Sequence, residues 1–371
     1  MSMSECIIDQ TCLVLKAYLD QCATDREFEK AHLSGAGEIY LFEKKLADYY
    51  GKKYALTFSN ATTAIHSLCI AYELTGKEII TAPFNWGGAI APFLLYGNTI
   101  RFISFEPETL SLLTKGLKAN QTKKTQALLS VDFNGFPANS RQIKSFCREH
   151  GLAYISDSSQ SLGAWRDGKP AGYFADVTVF SFSAGKTMFG GEGGAIVTDE
   201  EELYEKLLDV AHHPARQKRV CGFKNINEFP LLNGRMNPLA AIVLNACFDP
   251  ALAELKNKQE RFFSIARQLI KNDLIASHEG LASVDSATWF KTVFQLCEKV
   301  DSNDLFLAIN NPGSTFVVEQ NNALIPIPSN TTFLKKYKNQ FSMSGMLKRQ
   351  LTEFDSSRYI TLKIVPEHSS Q

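Results

Sequence analysis

The chain has 371 residues, enough for one large or two linked domains, and its 44% hydrophobic and 21% charged content is ordinary for a globular protein. Its formal net charge is zero, so the composition gives no reason to expect nucleic acid or a charged membrane surface as a partner. No apolar run approaches the roughly 18 residues of a membrane span, and the N-terminus lacks the charged start of a signal peptide. The eight cysteines form no C-x-x-C pair and no metal-ligand spacing with histidine, which predicts free thiols, no metal site and a cytoplasmic location.

The apolar residues alternate between helical and strand spacing along the first part of the chain. Helices are predicted over 38–50, 60–74, 87–97, about 140–150 and 200–213. Strands are predicted over 53–59, 78–83, 99–105, 126–133, 152–157, 177–183 and 194–199. This alternation predicts an α/β fold around a largely parallel sheet. Such sheets bind ligands at the carboxyl ends of their strands.

The pattern changes after residue 213. The stretch 214–235 is polar and basic, which indicates a long functional loop. A long helical pattern then runs from Pro238 and continues after Pro250, and short mixed segments after about 280 predict a smaller α+β unit. We therefore expect a large domain over 1–245, including an N-terminal helical segment, and a small C-terminal domain over 246–371.

One lysine stands between an apolar strand and a glycine-rich run, in VFSFSAGKTMFGGEGGAIVTD (179–199). Lys186 is placed where a strand end can hold a side chain in a pocket, and a neutral lysine amine there can form a Schiff base with a carbonyl. Taken alone, such a lysine is more often a surface residue in a turn. The four glycines within 190–194 predict that the chain turns tightly beside it.

Two polar residues follow the strand LAYISD (152–157). The carboxylate of Asp157, if it lay beside the ring nitrogen of a cofactor, would keep that nitrogen protonated and make the ring an electron sink. Taken alone, such an aspartate is more often a helix N-cap or a turn residue. Gln160 could hydrogen-bond a ring hydroxyl, although without Asp157 nearby it would be an ordinary loop residue.

Two further features suit a phosphorylated, planar ligand. The stretch SNATTAIHS (59–67) is a predicted strand-to-helix junction, where hydroxyl groups and free helix N–H groups suit a phosphate, although ordinary N-capping also explains it. Trp86 follows a strand and precedes two glycines, so its ring could lie on a flat cofactor; core packing is the alternative. Together with the lysine and the aspartate, these features meet the needs of pyridoxal 5'-phosphate.

On these motifs the sequence resembles the DegT/DnrJ/EryC1/StrS family of sugar aminotransferases, from about Gly35 to about Ile270. The resemblance implies a fold-type I, pyridoxal phosphate-dependent transferase. It implies a large domain with a mostly parallel seven-stranded sheet flanked by helices, and a smaller C-terminal α+β domain. It also implies a homodimer with shared active sites. The implied reaction moves an amino group from glutamate or glutamine to a keto-sugar, a keto-cyclitol or a related ketone or aldehyde in a biosynthetic pathway.

The resemblance carries four residues over to the cofactor phosphate. SNATTAIHS implies phosphate contacts from the backbone of Ala61 and from Thr62. The signature SFSAGKTMFGGEGG implies a phosphate contact from Ser181. LNGRMNPLAAIVL implies that Asn233 reaches the phosphate in the neighbouring subunit.

Four more residues are carried over to the cofactor ring. The lysine of the same signature, Lys186, is implied as the covalent anchor, and it follows Asp157 by 29 residues, which also fits the family. ISDSSQSLGA implies Asp157 on the pyridine nitrogen and Gln160 near the ring oxygen, and APFNWGGAIAP implies that Trp86 stacks on the ring.

The sequence departs from the family on the substrate side. The family has P-V-H-L-Y-G where this chain has SVDFNG (130–135), so an imidazole and a phenol are missing, and STFVVEQNNALIPIP (314–328) replaces the expected H-Y-x-P-L-H. Ala61 replaces a family glycine. A branch of the family has histidine in place of the lysine and dehydrates sugars, and Lys186 argues against that branch. The alternatives are another pyridoxal phosphate enzyme of this fold, a lyase or coupling enzyme, and a non-catalytic cofactor-binding regulator.

Overall fold

The structure is a computed structural model that describes residues 3–219, 231–276, 284–288, 290–301, 316–320 and 326–364. In these ranges the helices are α1 Met3–Thr24, α2 Arg26–Ala31, α3 Glu38–Tyr50, α4 Ala61–Ala71, α5 Gly87–Leu95, α6 Leu117–Asn120, α7 Ser140–His150, α8 Glu201–Ala211, α9 Pro214–Arg219, α10 Pro238–Lys271, α11 Thr331–Tyr337 and α12 Gly345–Glu353. The strands are β1 Tyr54–Phe58, β2 Glu78–Thr81, β3 Thr99–Phe102, β4 Thr125–Val131, β5 Ala153–Asp157, β6 Trp165–Arg166, β7 Lys169–Pro170, β8 Val177–Ser181, β9 Gly194–Thr198, β10 Thr292–Gln295, β11 Phe316–Gln320, β12 Phe341–Met343 and β13 Tyr359–Ile364.

A central sheet of eight strands has the order β1-β9-β8-β5-β4-β2-β3-β12. Neighbouring strands are parallel from β8 to β12. Strand β9 runs antiparallel to both β1 and β8, so that Gly194 lies opposite Phe58 on one side and Ser181 on the other. The predicted α/β class with a mostly parallel sheet is confirmed. Strand β9 separates β1, which leads to the predicted phosphate junction, from β8, which leads to Lys186.

The predicted count of seven strands needs a correction, because β12 adds an eighth. Phe341 pairs with Ile100 in parallel register, and its ring lies 5.4 Å from the ring of Phe102. Three residues are too few for a strand period to stand out in the sequence. Strand β12 lies within 246–371 yet joins the sheet built by the preceding part of the chain, and α10 passes through residue 246 without a break. The division at residue 246 stays a prediction.

Helices cover both faces of the central sheet, whose strands are apolar on both sides as expected for a largely parallel sheet. On one face α4, α5 and α8 pack with alternate strand residues such as Ile79 and Leu129. On the other face α7 packs with Ile80 and Leu128, and α3 and α10 pack around Phe180. The loops at the strand ends are therefore attached to a sheet that is packed on both faces.

Capping residues determine where two helices near the cavity side of the sheet begin and end. The side chain of Asn60 accepts a hydrogen bond from the Thr63 N–H at 2.8 Å and begins α4. Asn139 caps α7 in the same way, and Gly151, at φ 64°, ends it. The predicted loop 214–235 begins with the short helix α9, and its residues 220–230 lie outside the described ranges.

The described C-terminal residues form a second, three-stranded antiparallel sheet in the order β10-β13-β11, together with α11 and α12. Helix α10 connects this part to the central sheet. Among the described helices, α10 alone is long and apolar enough to cross a membrane by length and composition, which is weak evidence because core helices of soluble proteins pass the same test.

Candidate active site

A cavity of about 720 Å³ opens where the segments after β1, β2, β4, β5 and β8 meet. All these segments follow the carboxyl ends of strands, which is the expected position for a ligand in such a sheet. Every predicted site residue except Asn233 lines this cavity: Ala61, Thr62, Trp86, Asp157, Gln160, Ser181 and Lys186.

The side chain of Lys186 extends into the cavity from the turn after β8. Its backbone N–H donates to the Ser183 carbonyl at 3.2 Å, and its Nζ lies 4.3 Å from the centroid of the Phe290 ring. Burial lowers the pKa of Lys186; the negative charge of Asp157 opposes this shift and the positive charge of Lys291 adds to it. Lys186 can therefore become a neutral amine, the form that attacks carbonyls and accepts protons, at a lower pH than an exposed lysine.

Asp157 ends β5 at the floor of the cavity and is only 5% exposed. Its Oδ1 accepts a hydrogen bond from the Ser159 N–H at 3.0 Å. Burial raises the pKa of Asp157, while the Ser159 hydrogen bonds and the charge of Lys186 act in the opposite direction. A buried carboxylate of this kind gains from a cationic partner, and a protonated ring nitrogen in the cavity would be such a partner.

The amide of Gln160 is oriented by a backbone group. Its Oε1 accepts a hydrogen bond from the Asn134 N–H at 2.8 Å, which leaves the Nε2 hydrogens for an acceptor in the cavity. The Asn134 carbonyl accepts from the Phe290 N–H at 3.1 Å. The turn at Asn134 therefore joins Gln160 to the segment that covers Lys186.

The phosphate end of the cavity is formed by the start of α4 and the end of β8. The first N–H groups of α4, at Ala61 and Thr62, have no partner within their own helix, as at any helix start. Ser181 Oγ lies 3.1 Å from Ser183 Oγ on the adjacent wall. Because Ala61 is the first residue of a regular helix, its methyl group is accommodated where the family has glycine.

Glycine at position 194 allows these two walls to meet. A Cβ atom at Gly194 would collide with the backbone of Asn60 and Ala61, reaching 2.7 Å from the Asn60 carbonyl oxygen. Within the preceding run, Gly191 has φ 80°, a conformation that favours glycine. The predicted tight turn therefore occurs at Gly191, whereas Gly194 is needed for close approach of two backbones.

Trp86 is a surface of the cavity and not a core residue, since it is 74% exposed. It precedes α5, and a Cβ atom at Gly88 would lie 2.7 Å from Thr62 Oγ1 and 3.1 Å from the Trp86 ring. The indole and the Thr62 hydroxyl are thus neighbours on one wall. An exposed indole beside a helix N-terminus can stack on a flat ring whose phosphate lies at that N-terminus.

Asn233 is exposed and does not line this cavity. The next residue, Gly234, accepts from the Ser59 N–H at 2.7 Å and donates to the Ala211 carbonyl at 3.1 Å, which fixes Asn233 beside the phosphate junction. Its predicted role toward a neighbouring subunit stays a prediction.

The cavity is also lined by residues to which the sequence analysis assigns no role. These are Ile65, Phe84, Asn85, Gly87, Gly88, Ala89, Phe133, Ser159, Ser183, Ala184, Glu192, Phe290, Lys291, Ile327 and Asn330. The Asn-Gly pair at 134–135, with φ 57° and 88°, is a turn signal that could have located the wall after β4. Phe290 and Lys291 come from the C-terminal part, where no motif marks them.

The cavity fits pyridoxal phosphate by the chemistry of its walls. Asn85 Oδ1, Asn134 Oδ1 and Ser159 Oγ are buried and have no hydrogen-bond partner among the described residues, so the walls have capacity for a polar ligand. A helix N-terminus with hydroxyl groups suits the phosphate, and Asp157 suits a ring nitrogen. A lysine of depressed pKa completes the set. The fold and this site define the class of protein: the fold-type I, pyridoxal phosphate-dependent class.

Residues 26–362 match the model of the DegT/DnrJ/EryC1/StrS aminotransferase family, and the chain belongs to that family. The GDP-perosamine synthase of Vibrio cholerae is 30% identical over 62% of this chain, and the match spans 60% of that relative's length. An aminotransferase structure from Brucella abortus has a TM-score of 0.73 at 20% identity, over 98% of this chain and 94% of the other. The E. coli GDP-4-keto-6-deoxy-D-mannose-3-dehydratase with bound hydrated PLP has a TM-score of 0.71 at 21% identity, over 89% and 88%. The predicted family and fold class are confirmed.

Proposed function

We propose that this protein is a pyridoxal phosphate-dependent aminotransferase, which moves an amino group from glutamate or glutamine to a keto-sugar, a keto-cyclitol or a related ketone or aldehyde. The single observation that carries the proposal is Lys186, with its lowered pKa, in one cavity with Asp157. Both an aminotransferase and a dehydratase are similar to this chain. A lysine, and not a histidine, at this position favours the aminotransferase.

The proposed roles follow the walls of the cavity. Ala61, Thr62 and Ser181 hold the phosphate through a helix N-terminus and hydroxyl groups. Trp86 covers one face of the ring, and Gln160 donates its free amide hydrogens to the ring oxygen. Asp157 accepts a hydrogen bond from the protonated ring nitrogen.

Bound pyridoxal phosphate supplies an aldehyde for covalent attachment and a ring that accepts electrons. The Lys186 amine must be neutral to do its part, and burial favours that form. Its Nζ accepts the proton from the α-carbon of the amino donor and later returns a proton. Asp157 stays ionised opposite the ring nitrogen, and the Phe290 ring lies beside the amine.

The acceptor is proposed from the relatives and from the cavity. The V. cholerae relative is named GDP-perosamine synthase, which supports a sugar-type acceptor. Asn134 lines the cavity at the position where the family has a phenol, so a substrate contact differs here, and a keto-cyclitol or another ketone fits the proposal equally. We also propose a cytoplasmic homodimer in which Asn233 reaches the phosphate of the neighbouring subunit.

A lyase or coupling enzyme of the same fold is the second candidate, and the changed cavity residue at 134 favours it. A non-catalytic regulator has no such support, because Lys186 and Asp157 are both retained. Only an aminotransferase must convert its cofactor to the amino form with an amino acid donor and convert it back with a ketone.

Absorbance of the loaded protein tests these alternatives. We expect borohydride to fix the cofactor on Lys186, as found by peptide mass spectrometry, and Lys186→Ala to lose this label. Lys291→Ala, which removes the second cavity lysine, is the matched control and keeps it. Glutamate or glutamine should convert the bound cofactor to its amino form. Conversion by no amino donor would favour the lyase, and absence of cofactor binding would refute both candidates.

A further inference from the structure

A second buried carboxyl group lies directly behind Asp157 and has no part in the proposed function. Asp132 is 1% exposed and follows the last residue of β4. The neighbouring strand residues Val131 and Asp157 are paired, and the Asp132 N–H donates to the Asp157 carbonyl at 3.1 Å. Asp132 does not line the cavity, so any effect on a ligand passes through other residues.

The carboxylate of Asp132 ties down the turn that carries two cofactor-binding residues. Its Oδ2 accepts from Ser158 Oγ at 2.6 Å and from Ser161 Oγ at 2.7 Å. These serines flank Ser159 and Gln160, so both ends of the turn after Asp157 are attached to one oxygen atom. Hydrogen bonds to a charged acceptor are stronger than those between neutral groups.

The same carboxylate also holds the wall after β4. Its Oδ1 accepts from the Ala138 N–H at 2.7 Å, beyond the turn at 134–135. That turn supplies the Asn134 N–H to Gln160. Asp132 therefore connects both partners of the hydrogen bond that orients the Gln160 amide.

Within the described ranges, no cation is paired with this buried charge. None of the ion pairs among the described residues includes Asp132. The titratable groups that act on it or feel it are Asp157 and Tyr154 from β5 and Tyr50 from α3, which are acidic or neutral. Burial raises the pKa of Asp132 to about 6, while the hydrogen bonds from Ala138, Ser158 and Ser161 lower it. A buried carboxylate without a counter-ion is costly, and its three donors are what make it tolerable.

We propose that Asp132 is a positioning residue for the cofactor: through Ser158 and Ser161 it fixes the Asp157 carboxyl and the Gln160 amide against the cofactor ring. The proposal rests on the proposed function in taking pyridoxal phosphate as the ligand. A carboxylate can only accept hydrogen bonds, and the two serine hydroxyls that face it can donate. Where the family sequence has an imidazole, this chain has a carboxylate that accepts hydrogen bonds from the two serine hydroxyls.

The test is the dissociation constant of pyridoxal phosphate, measured by titrating the cofactor-free protein. Asp132→Asn and the pair Ser158→Ala with Ser161→Ala should each weaken binding by about ten-fold, the loss expected for hydrogen bonds to a charged group. Combining all three changes should weaken binding no further than either set alone, because both sets remove one shared interaction. In Asp132→Asn the pH midpoint of the bound cofactor's absorbance should also fall, since a nearby negative charge is lost.

Asp176→Asn is the matched control. Asp176 also accepts a hydrogen bond from a backbone N–H, that of Tyr154 at 2.8 Å. It precedes β8, however, and so lies at the amino end of that strand, away from the carboxyl ends that form the cavity. It should bind the cofactor with wild-type affinity. Wild-type affinity in Asp132→Asn and in the serine variant, or losses that simply add, would overturn the positioning role alone. Failure of the wild type to bind the cofactor would refute the proposed function as well. Should Asp132→Asn fail to fold, the serine variant and its absorbance decide the question.

Discussion

The Lys186 ammonium lies 4.3 Å from the centroid of the Phe290 ring, although Lys186 follows β8 of the central sheet and Phe290 precedes β10 of the C-terminal sheet. The ring attracts a cation, which favours the charged amine, and it also removes water, which favours the neutral one. Burial is the largest cause acting on Lys186, and its pKa is lowered. Burial by the cavity walls, of which the Phe290 ring is one, therefore outweighs the opposing charge of Asp157.

Phe290→Ala should raise the pKa of Lys186 toward that of an exposed lysine, because water reaches the amine. The rate at which cofactor-free protein bonds to pyridoxal phosphate depends on the neutral amine, so its pH midpoint should move to higher pH. Stopped-flow absorbance over a pH series measures this midpoint. Phe189→Ala is the control, since Phe189 is 53% exposed, close to Lys186 in sequence and not part of the cavity. A midpoint that stays fixed or falls in Phe290→Ala would contradict this account.

Gly194→Ala should damage the phosphate end of the cavity. The added Cβ would lie 2.7 Å from the Asn60 carbonyl oxygen and collide with the backbone that begins α4. Because backbone atoms cannot rotate away, the junction must shift, at a cost of about 1–3 kcal/mol in the free energy of unfolding. Cofactor affinity should fall together with the stability.

Urea unfolding and cofactor titration measure the two effects of Gly194→Ala. Gly116→Ala is the matched control, since its Cβ would meet only the Asn120 side chain at 3.5 Å, an ordinary contact. If Gly194→Ala bound the cofactor as tightly as Gly116→Ala, the close approach would have no functional role.

Much of this site could be predicted from sequence because its parts are local. A strand end, a turn and a helix start each fit within a few residues, and those motifs placed Lys186, Asp157, Gln160 and Trp86 in one cavity. These motifs lie close together because of the order of the strands in the sheet. The alternation of strands and helices predicts a largely parallel sheet but does not give that order.

The residues that were missed depend on distant packing. The Phe290 ring lies beside Lys186, and the Phe290 N–H donates a hydrogen bond to the Asn134 carbonyl. The spacing of apolar residues around either residue does not indicate that the two segments meet. Strand β12 was missed for a similar reason, since its pairing with β3 is decided by tertiary contact and not by its own three residues. The role of Asp132 depends on two serines that are ordinary in sequence.

Asp132 should give the cofactor-free protein a distinct pH dependence of stability. Its pKa is raised to about 6 in the folded protein, against about 3.9 in an unfolded chain, so the folded state binds the proton more tightly. The stabilising contribution of Asp132 to the free energy of unfolding is therefore fully present below pH 4 and is lost as pH rises to about 6. Its size is on the order of 3 kcal/mol.

The measurement is the free energy of unfolding of wild type and Asp132→Asn from pH 4 to pH 7. As pH rises, the wild type should lose free energy of unfolding relative to Asp132→Asn. The other carboxyl groups titrate equally in both proteins, so their effects cancel in the comparison. Asp199→Asn is the control: burial opposes the shift, but hydrogen bonds from Lys52 and Lys53 lower the pKa of Asp199, so its contribution changes below about pH 4 and its difference from wild type should stay flat over this range. A difference that is flat over this range would show that Asp132 keeps an ordinary pKa.

Thr288 ties the C-terminal part of the chain to the cofactor turn. Its hydroxyl donates to the Gln160 carbonyl, its N–H donates to the Gly135 carbonyl at 3.1 Å, and it is 2% exposed. Thr288→Val keeps the shape and leaves the Gln160 carbonyl unpaired, which should cost about 1–3 kcal/mol in the free energy of unfolding. Cofactor affinity should fall with it because Gln160 loses one of its anchors.

Thr288→Ser separates the hydroxyl from the methyl group of this side chain. The serine variant retains the donor, so its cofactor affinity should match that of wild type even if the missing methyl lowers its stability. Cofactor titration and urea unfolding of the two variants provide the comparison. Equal loss of affinity in Thr288→Val and Thr288→Ser would mean that packing, and not the hydrogen bond to Gln160, connects the C-terminal part to the site.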